Sequence, residues 1–141
     1  MKSSATKNKG DDVPKSRKPE DRWHPKFKDE NWVPVLHFFL ENYHRLKPYP
    51  VTHSEAMFVI HLMQFKWDSQ APYPGYKRIA KTMGVSDKSA RRYAQALEQK
   101  KYLKRKIRKA QTNEFNLKPL MEALVSLKEI EEKKDAAKGR K

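Results

Sequence analysis

The feature that most limits how this chain can fold is a helix break at Gly84. Before it, "GYKRIAKTM" places Ile79, Ala80 and Met83 on one helical face, with Lys77, Arg78 and Lys81 on the other. After it, the spacing of Ala90, Tyr93, Ala94 and Leu97 predicts a second helix. Glycine suits the left-handed residue that ends a helix abruptly, because it has no Cβ to clash. Ser86 can then cap the next helix, and Asp87 adds a negative charge where the helix dipole favours one. Two helices joined by so short a turn must share one core.

The flanking sequence supplies that core and continues the pattern. Val35, Leu36, Phe38, Phe39, Tyr43 and Leu46 follow helical spacing from Pro34 to Leu46, and "KPYP" ends the run. "THSE" has the form of a reciprocal capping box, Thr52 with Glu55, opening a helix that is apolar around most of its circumference: Met57, Phe58, Val59, Ile60, Leu62, Met63, Phe65 and Trp67. This is the expected central helix. Past Lys101 the period changes to two, with Leu103 and Ile107 expected on one strand face and Lys104, Lys106 and Arg108 on the other. "KAQTN" reads as a turn and "EFNL" as the returning strand. A last helix is expected from about Pro119, fraying through "KEIEEKKDAAKGRK".

Charge is distributed unevenly over this plan. The 141 residues hold 32 Lys and Arg against 17 Asp and Glu, a net charge of +15. Residues 75–109 alone hold 13 basic and 2 acidic side chains, so 13 − 2 = +11 of that excess lies in the helix-break segment and the hairpin. An excess of this size exceeds what solubility asks of a small domain and points to a polyanion. No run of about 18 apolar residues exists to span a bilayer, so a membrane partner is not expected. Without cysteine there is no thiolate zinc site, disulfide or cysteine nucleophile.

The order helix, helix, tight turn, helix, basic hairpin, with "YPGYKRIAKTMGVSDKSARRYAQALEQKKYL" and "TNEFNLKPLMEAL" as its two signature stretches, resembles a winged helix-turn-helix of the kind found in plasmid and phage replication initiators and related regulators. The resemblance spans about residues 32–127. Two positions depart from it: Lys101 stands where such sequences commonly have Gly, and Gly75 where they commonly have a Ser or Thr cap. It implies a mainly α, α+β winged-helix fold, with a three-helix core, a two-stranded β-wing, an additional N-terminal helix and a C-terminal helix. It also implies a double-stranded DNA partner read in the major groove by Ser86, Lys88, Ser89, Arg91, Arg92 and Gln95. Lys77, Arg78 and Lys81 would then meet phosphates, and Lys104, Lys106, Arg108 and Lys109 would act from the wing.

Residues 1–28 read as a disordered basic arm, 29–128 as the domain and 129–141 as a frayed charged tail. Trp23, Phe27 and Trp32 are candidates for anchoring the arm. Leu117, Leu120, Leu124 and Leu127 form a short heptad-like seam, either packed on their own domain or pairing two chains into a homodimer. His37, Glu41 and His44 share one helical face but lack a second ligand set, so neither a metal nor another cofactor is expected. No Gly-rich phosphate loop or nucleophile motif is present, and no enzymatic role is expected. The sequence thus supports a cytoplasmic, nucleoid-associated DNA-binding protein in replication or transcription. An RNA or ribonucleoprotein binder, or a protein-docking adaptor, is the alternative.

Overall fold

In the computed structural model of the chain, residues 18–65, 72–108 and 112–139 are described. Trp67 of the expected central helix and Lys109 of the wing lie outside them, as does the arm before Lys18. The chain divides into two compact units, residues 1–32 and 33–141. In the first, α1 (Pro19–Arg22) precedes a 3-10 turn, Pro25–Phe27, which begins where the His24 ring accepts a hydrogen bond from the Lys26 amide at 3.0 Å. Trp23, Phe27 and Trp32, the candidates for anchoring the arm, all belong to this unit.

The second unit is mainly helical, with a small antiparallel sheet, an α+β fold of winged-helix type. Its centre is α3 (His53–Met63), opened by the expected capping box: the Thr52 hydroxyl accepts from the Glu55 amide at 3.2 Å, and the Glu55 carboxylate accepts from the Thr52 amide at 3.0 Å. Ala56, Phe58, Val59 and Leu62 are buried, whereas Met57 is exposed, because it points away from the two helices that pack on α3. Those are α4 (Tyr76–Met83) and α5 (Asp87–Gln99). Ile79 and Ala80 face inward from α4, and Ala90, Ala94 and Leu97 from α5, all essentially without solvent contact.

Both α4 and α5 end in the same hydrogen-bonded loop, in which a left-handed residue lets two amides turn back onto the last carbonyls. After α4 the left-handed residue is Gly84 at φ 72°, with the Val85 amide bonded to the Ala80 carbonyl at 3.0 Å. After α5 it is Lys101 at φ 69°, with the Tyr102 amide bonded to the Leu97 carbonyl at 3.0 Å. Lys101 therefore carries a Cβ in a conformation that disfavours one. Gly75, the other departure, has an ordinary φ of −75°, but a Cβ there would come within 3.3 Å of the Thr112 side chain. The start of α4 is packed against the return of the hairpin, and this closeness suits glycine better than a capping side chain.

The hairpin pairs β1 (Lys104–Lys106) with β2 (Glu114–Asn116), Arg105 opposite Phe115. The Phe115 amide donates to the Pro72 carbonyl at 2.8 Å, which lays the segment before α4 beside β2. Leu103 is buried as expected, but Ile107 is 77 % exposed, because β1 ends one residue earlier and its inward position belongs to Arg105.

Two further expectations are corrected by packing. The helix expected from Pro34 to Leu46 is the shorter α2 (His37–Asn42) followed by a 3-10 turn, Tyr43–Arg45, and Leu36 precedes it in an extended, exposed conformation. The last helix, α6 (Lys118–Ala137), does not fray at 129 but continues through Ala137. Its Glu131 is held by the Arg45 guanidinium at 2.9 Å, and Lys128 lies over the Phe38 ring at 5.1 Å, so the middle of α6 meets α2 and the turn after it. Of the two roles open to the leucines, packing on their own domain is the one seen: Leu120 and Leu124 of α6, with Leu117 just before it, lie in this chain's core, and Leu127 packs against it.

The end of α5 is tied to the start of α3 by a nearly dry ion pair. Lys100 Nζ donates to Glu55 Oε1 at 2.6 Å and to the Pro50 carbonyl at 2.8 Å, and the Tyr102 hydroxyl donates to the Tyr49 carbonyl at 2.5 Å. The Glu55 side chain is only 7 % exposed. Removing its cation strands a buried carboxylate, so Lys100→Met should cost about 3 kcal/mol in urea unfolding. The two left-handed positions should respond with opposite signs: Gly84→Ala should destabilise by about 1 kcal/mol, and Lys101→Gly should stabilise by roughly 0.5–1 kcal/mol.

Candidate nucleic-acid interface

The inward stripe Ala90, Ala94, Leu97 sets the rotation of α5 and thereby turns Lys88, Arg91, Arg92 and Gln95 to solvent. Ser86 does the local work expected of a cap: its oxygen accepts from the Ser89 amide at 3.0 Å. Its hydroxyl also donates to the Ser89 hydroxyl at 3.1 Å, and Arg92 reaches back toward the same oxygen at 3.4 Å. Ser86 and Ser89, expected to meet a partner, are thus engaged in building the first turn. Lys88, Arg92 and Gln95 make no ion pair with an acid among the described residues and are exposed at the surface.

The other cations sort into free and engaged. Lys77 and Lys81 are exposed on α4, while Arg78, also exposed, lies over the Phe65 ring at 5.0 Å. Lys104 and Lys106 project from one face of β1. Arg108, expected on that face too, is half-buried: its Nε donates to the Thr112 carbonyl at 2.7 Å, and the guanidinium lies 4.8 Å over Tyr73 and 3.8 Å from Glu114. It closes the hairpin. The Thr112 hydroxyl in turn donates to the Tyr73 carbonyl.

Two residues absent from the sequence reading organise the junction of α4, α5 and the wing. Arg105 donates from Nη1 to the Tyr76 hydroxyl at 2.9 Å and holds Nε 2.9 Å from Glu98 Oε2, a close ion pair without hydrogen-bond alignment. The Glu98 carboxylate raises the Arg105 pKa further above its already high ordinary value, and the Tyr76 hydroxyl adds to this against the opposing effect of burial. Tyr76, buried, meets Phe115 edge to face at 5.5 Å and carries the Arg91 guanidinium 4.6 Å above its ring. The signal for Arg105 was present: strict alternation from Leu103 places residue 105 on the inward face. Tyr76 carried no such signal, because its role depends on a strand 29 positions away.

Arg91 and the hairpin return line one open cleft of about 290 Å³, together with the start of α4. No cluster of metal-ligating side chains occurs among the described residues, and no helix there is long and apolar enough to cross a membrane. His37 instead pairs with Glu41 at 3.2 Å on an exposed helix face. No curated protein and no solved structure matches the chain. One family does, the DnaD N-terminal domain, over residues 35–136, a span that takes in α2 to the last turn of α6 and so both the core and the cationic surface just described. With most of its length matched, the chain belongs to the DnaD N-terminal domain family, a replication-related domain.

Proposed function

We propose that the domain binds double-stranded DNA in a sequence-specific manner in the service of replication, with α5 in the major groove and the wing alongside. The observation that carries this is the separation of the cations. The +11 segment places Lys88, Arg92 and Gln95 exposed on the outer face of α5, and Lys77, Lys81, Lys104 and Lys106 exposed on α4 and the wing, while one of its two acids, Glu98, is taken up internally. Asp87 sits in the first turn of α5, and Glu98 is taken up by Arg105. Asp87 is the segment's one exposed acid, so what remains toward a ligand is predominantly positive.

The side chains suit duplex DNA chemically: arginine and lysine match guanine acceptors, and glutamine matches adenine. Membership of a replication-related family supports a replication role over a regulatory one. Association with the nucleoid would follow from the same contacts. Catalysis plays no part in this reading, and no cofactor is required.

Competition among random duplex DNA, single-stranded DNA and structured RNA at two salt concentrations tests it. Duplex should win, and neutralising about six phosphates should give a slope of log K against log salt near −5. Equal or tighter binding of RNA would overturn the duplex reading. On a selected site, Arg92→Ala should cost about 1–3 kcal/mol and flatten site preference, whereas Lys77→Ala should weaken all duplexes alike.

A further inference from the structure

Arg91 differs from its neighbours on α5 in where its charge is delivered. Arg92 leans along the helix toward Ser89, whereas the Arg91 guanidinium lies over the Tyr76 ring, 4.6 Å from its centroid. That ring is itself fixed, by Phe115 at its edge and by the Arg105 bond to its hydroxyl, and Arg105 is fixed by Glu98. A guanidinium stacked on an anchored ring loses little freedom when it forms a further bond, and its in-plane N–H groups stay open to a ligand.

What those donors face is the cleft of about 290 Å³ between the start of α4, the Arg91 side of α5 and the base of the wing. Its wall includes the half-buried Asn113, whose amide makes no hydrogen bond among the described residues, and no carboxylate belongs to the wall. The rim at Thr112 is held shut by its bond to Tyr73 and by Arg108, so the cleft is built rather than incidental. At a size just under the roughly 300 Å³ where pockets for whole small molecules begin, it suits a fragment of a ligand. A cation with a planar fork, a neutral amide and no acid together suit one group above others, a phosphate.

We propose that this cleft is a phosphate site, in which Arg91 and Asn113 take a phosphodiester of the nucleic-acid backbone, with Tyr76 and Arg105 as positioning residues. This assigns Arg91 to the backbone and leaves base reading to Lys88, Arg92 and Gln95, and it rests on the nucleic-acid reading above. The phosphate fixes the register of the recognition helix without reporting sequence.

Two measurements on the full chain test it. In the first, inorganic phosphate is titrated at constant ionic strength against chloride, and the nitrogen-bound protons of Arg91 and Asn113 are followed by NMR. Shifts specific to phosphate and abolished in Arg91→Ala are expected, and equal shifts with chloride would overturn the site. In the second, duplex binding is measured against salt. Arg91→Ala should weaken every duplex by about tenfold and lower the magnitude of the salt slope by about 1, with the ranking of duplexes unchanged. Asn113→Asp should weaken them at least as much, and Tyr76→Phe, which keeps the ring but frees Arg105, should weaken them less. A changed ranking with an unchanged slope would make Arg91 a base reader and overturn the assignment. Phosphate-specific shifts in a chain that binds no duplex would keep the phosphate cleft but assign it to a free phosphate ester, overturning the backbone source and the duplex function together.

Discussion

Everything at the cationic surface depends on how closely α5 lies against α3 and α4. Ala90 and Ala94 have no side-chain bulk beyond Cβ, so the helix axis can approach until Leu97 fills the remaining space, and all three are fully buried. Close packing leaves no rotational slack: turning α5 by one residue would push Arg91 and Gln95 into an apolar interior, at a cost of several kcal/mol for an uncompensated charge and an unpaired amide. The outward set is therefore a consequence of the inward one.

Two helix ends then set where α5 starts and stops, and they solve the same problem with different residues. Gly84 reaches the left-handed region without strain, while Lys101 occupies it despite its Cβ. The neighbouring contacts over-determine the second turn: Lys100 is held by Glu55 and the Pro50 carbonyl, and Tyr102 by the Tyr49 carbonyl, so residue 101 has no other conformation available. That same set of bonds welds the loop before α3 to the entry of the wing. Strain at one residue is offset by three polar contacts on either side of it.

The arginines of the segment divide by neighbourhood rather than by charge. Arg105 and Arg108 are consumed in holding the hairpin together and against α4, Arg91 lies over Tyr76, and Lys100 is held by Glu55, whereas Lys88, Lys104 and Lys106 remain exposed. A planar guanidinium can stack and bond at once, whereas the strongly hydrated ammonium of Lys100 leaves water only for a carboxylate and a carbonyl together. A count of positive charges alone treats them as equal.

From the sequence by itself came the order of elements, the capping box at Thr52, the glycine turn, the Ser86 cap and the inward face of α5, because each rests on local periodicity or on a side chain bonding to its own backbone within four residues. Membership of the core followed from the same periodicity at Phe58, Val59, Leu62 and Ile79. Tertiary structure alone decided the rest. It buried Leu117, Leu120 and Leu124 within the chain, set α6 against Arg45 and Phe38 and ended it at Ala137, and turned Arg105 inward and Ile107 outward. It also joined Glu98, Arg105, Tyr76 and Arg91 into one line. These outcomes depend on partners tens of residues apart, whose proximity no local period encodes.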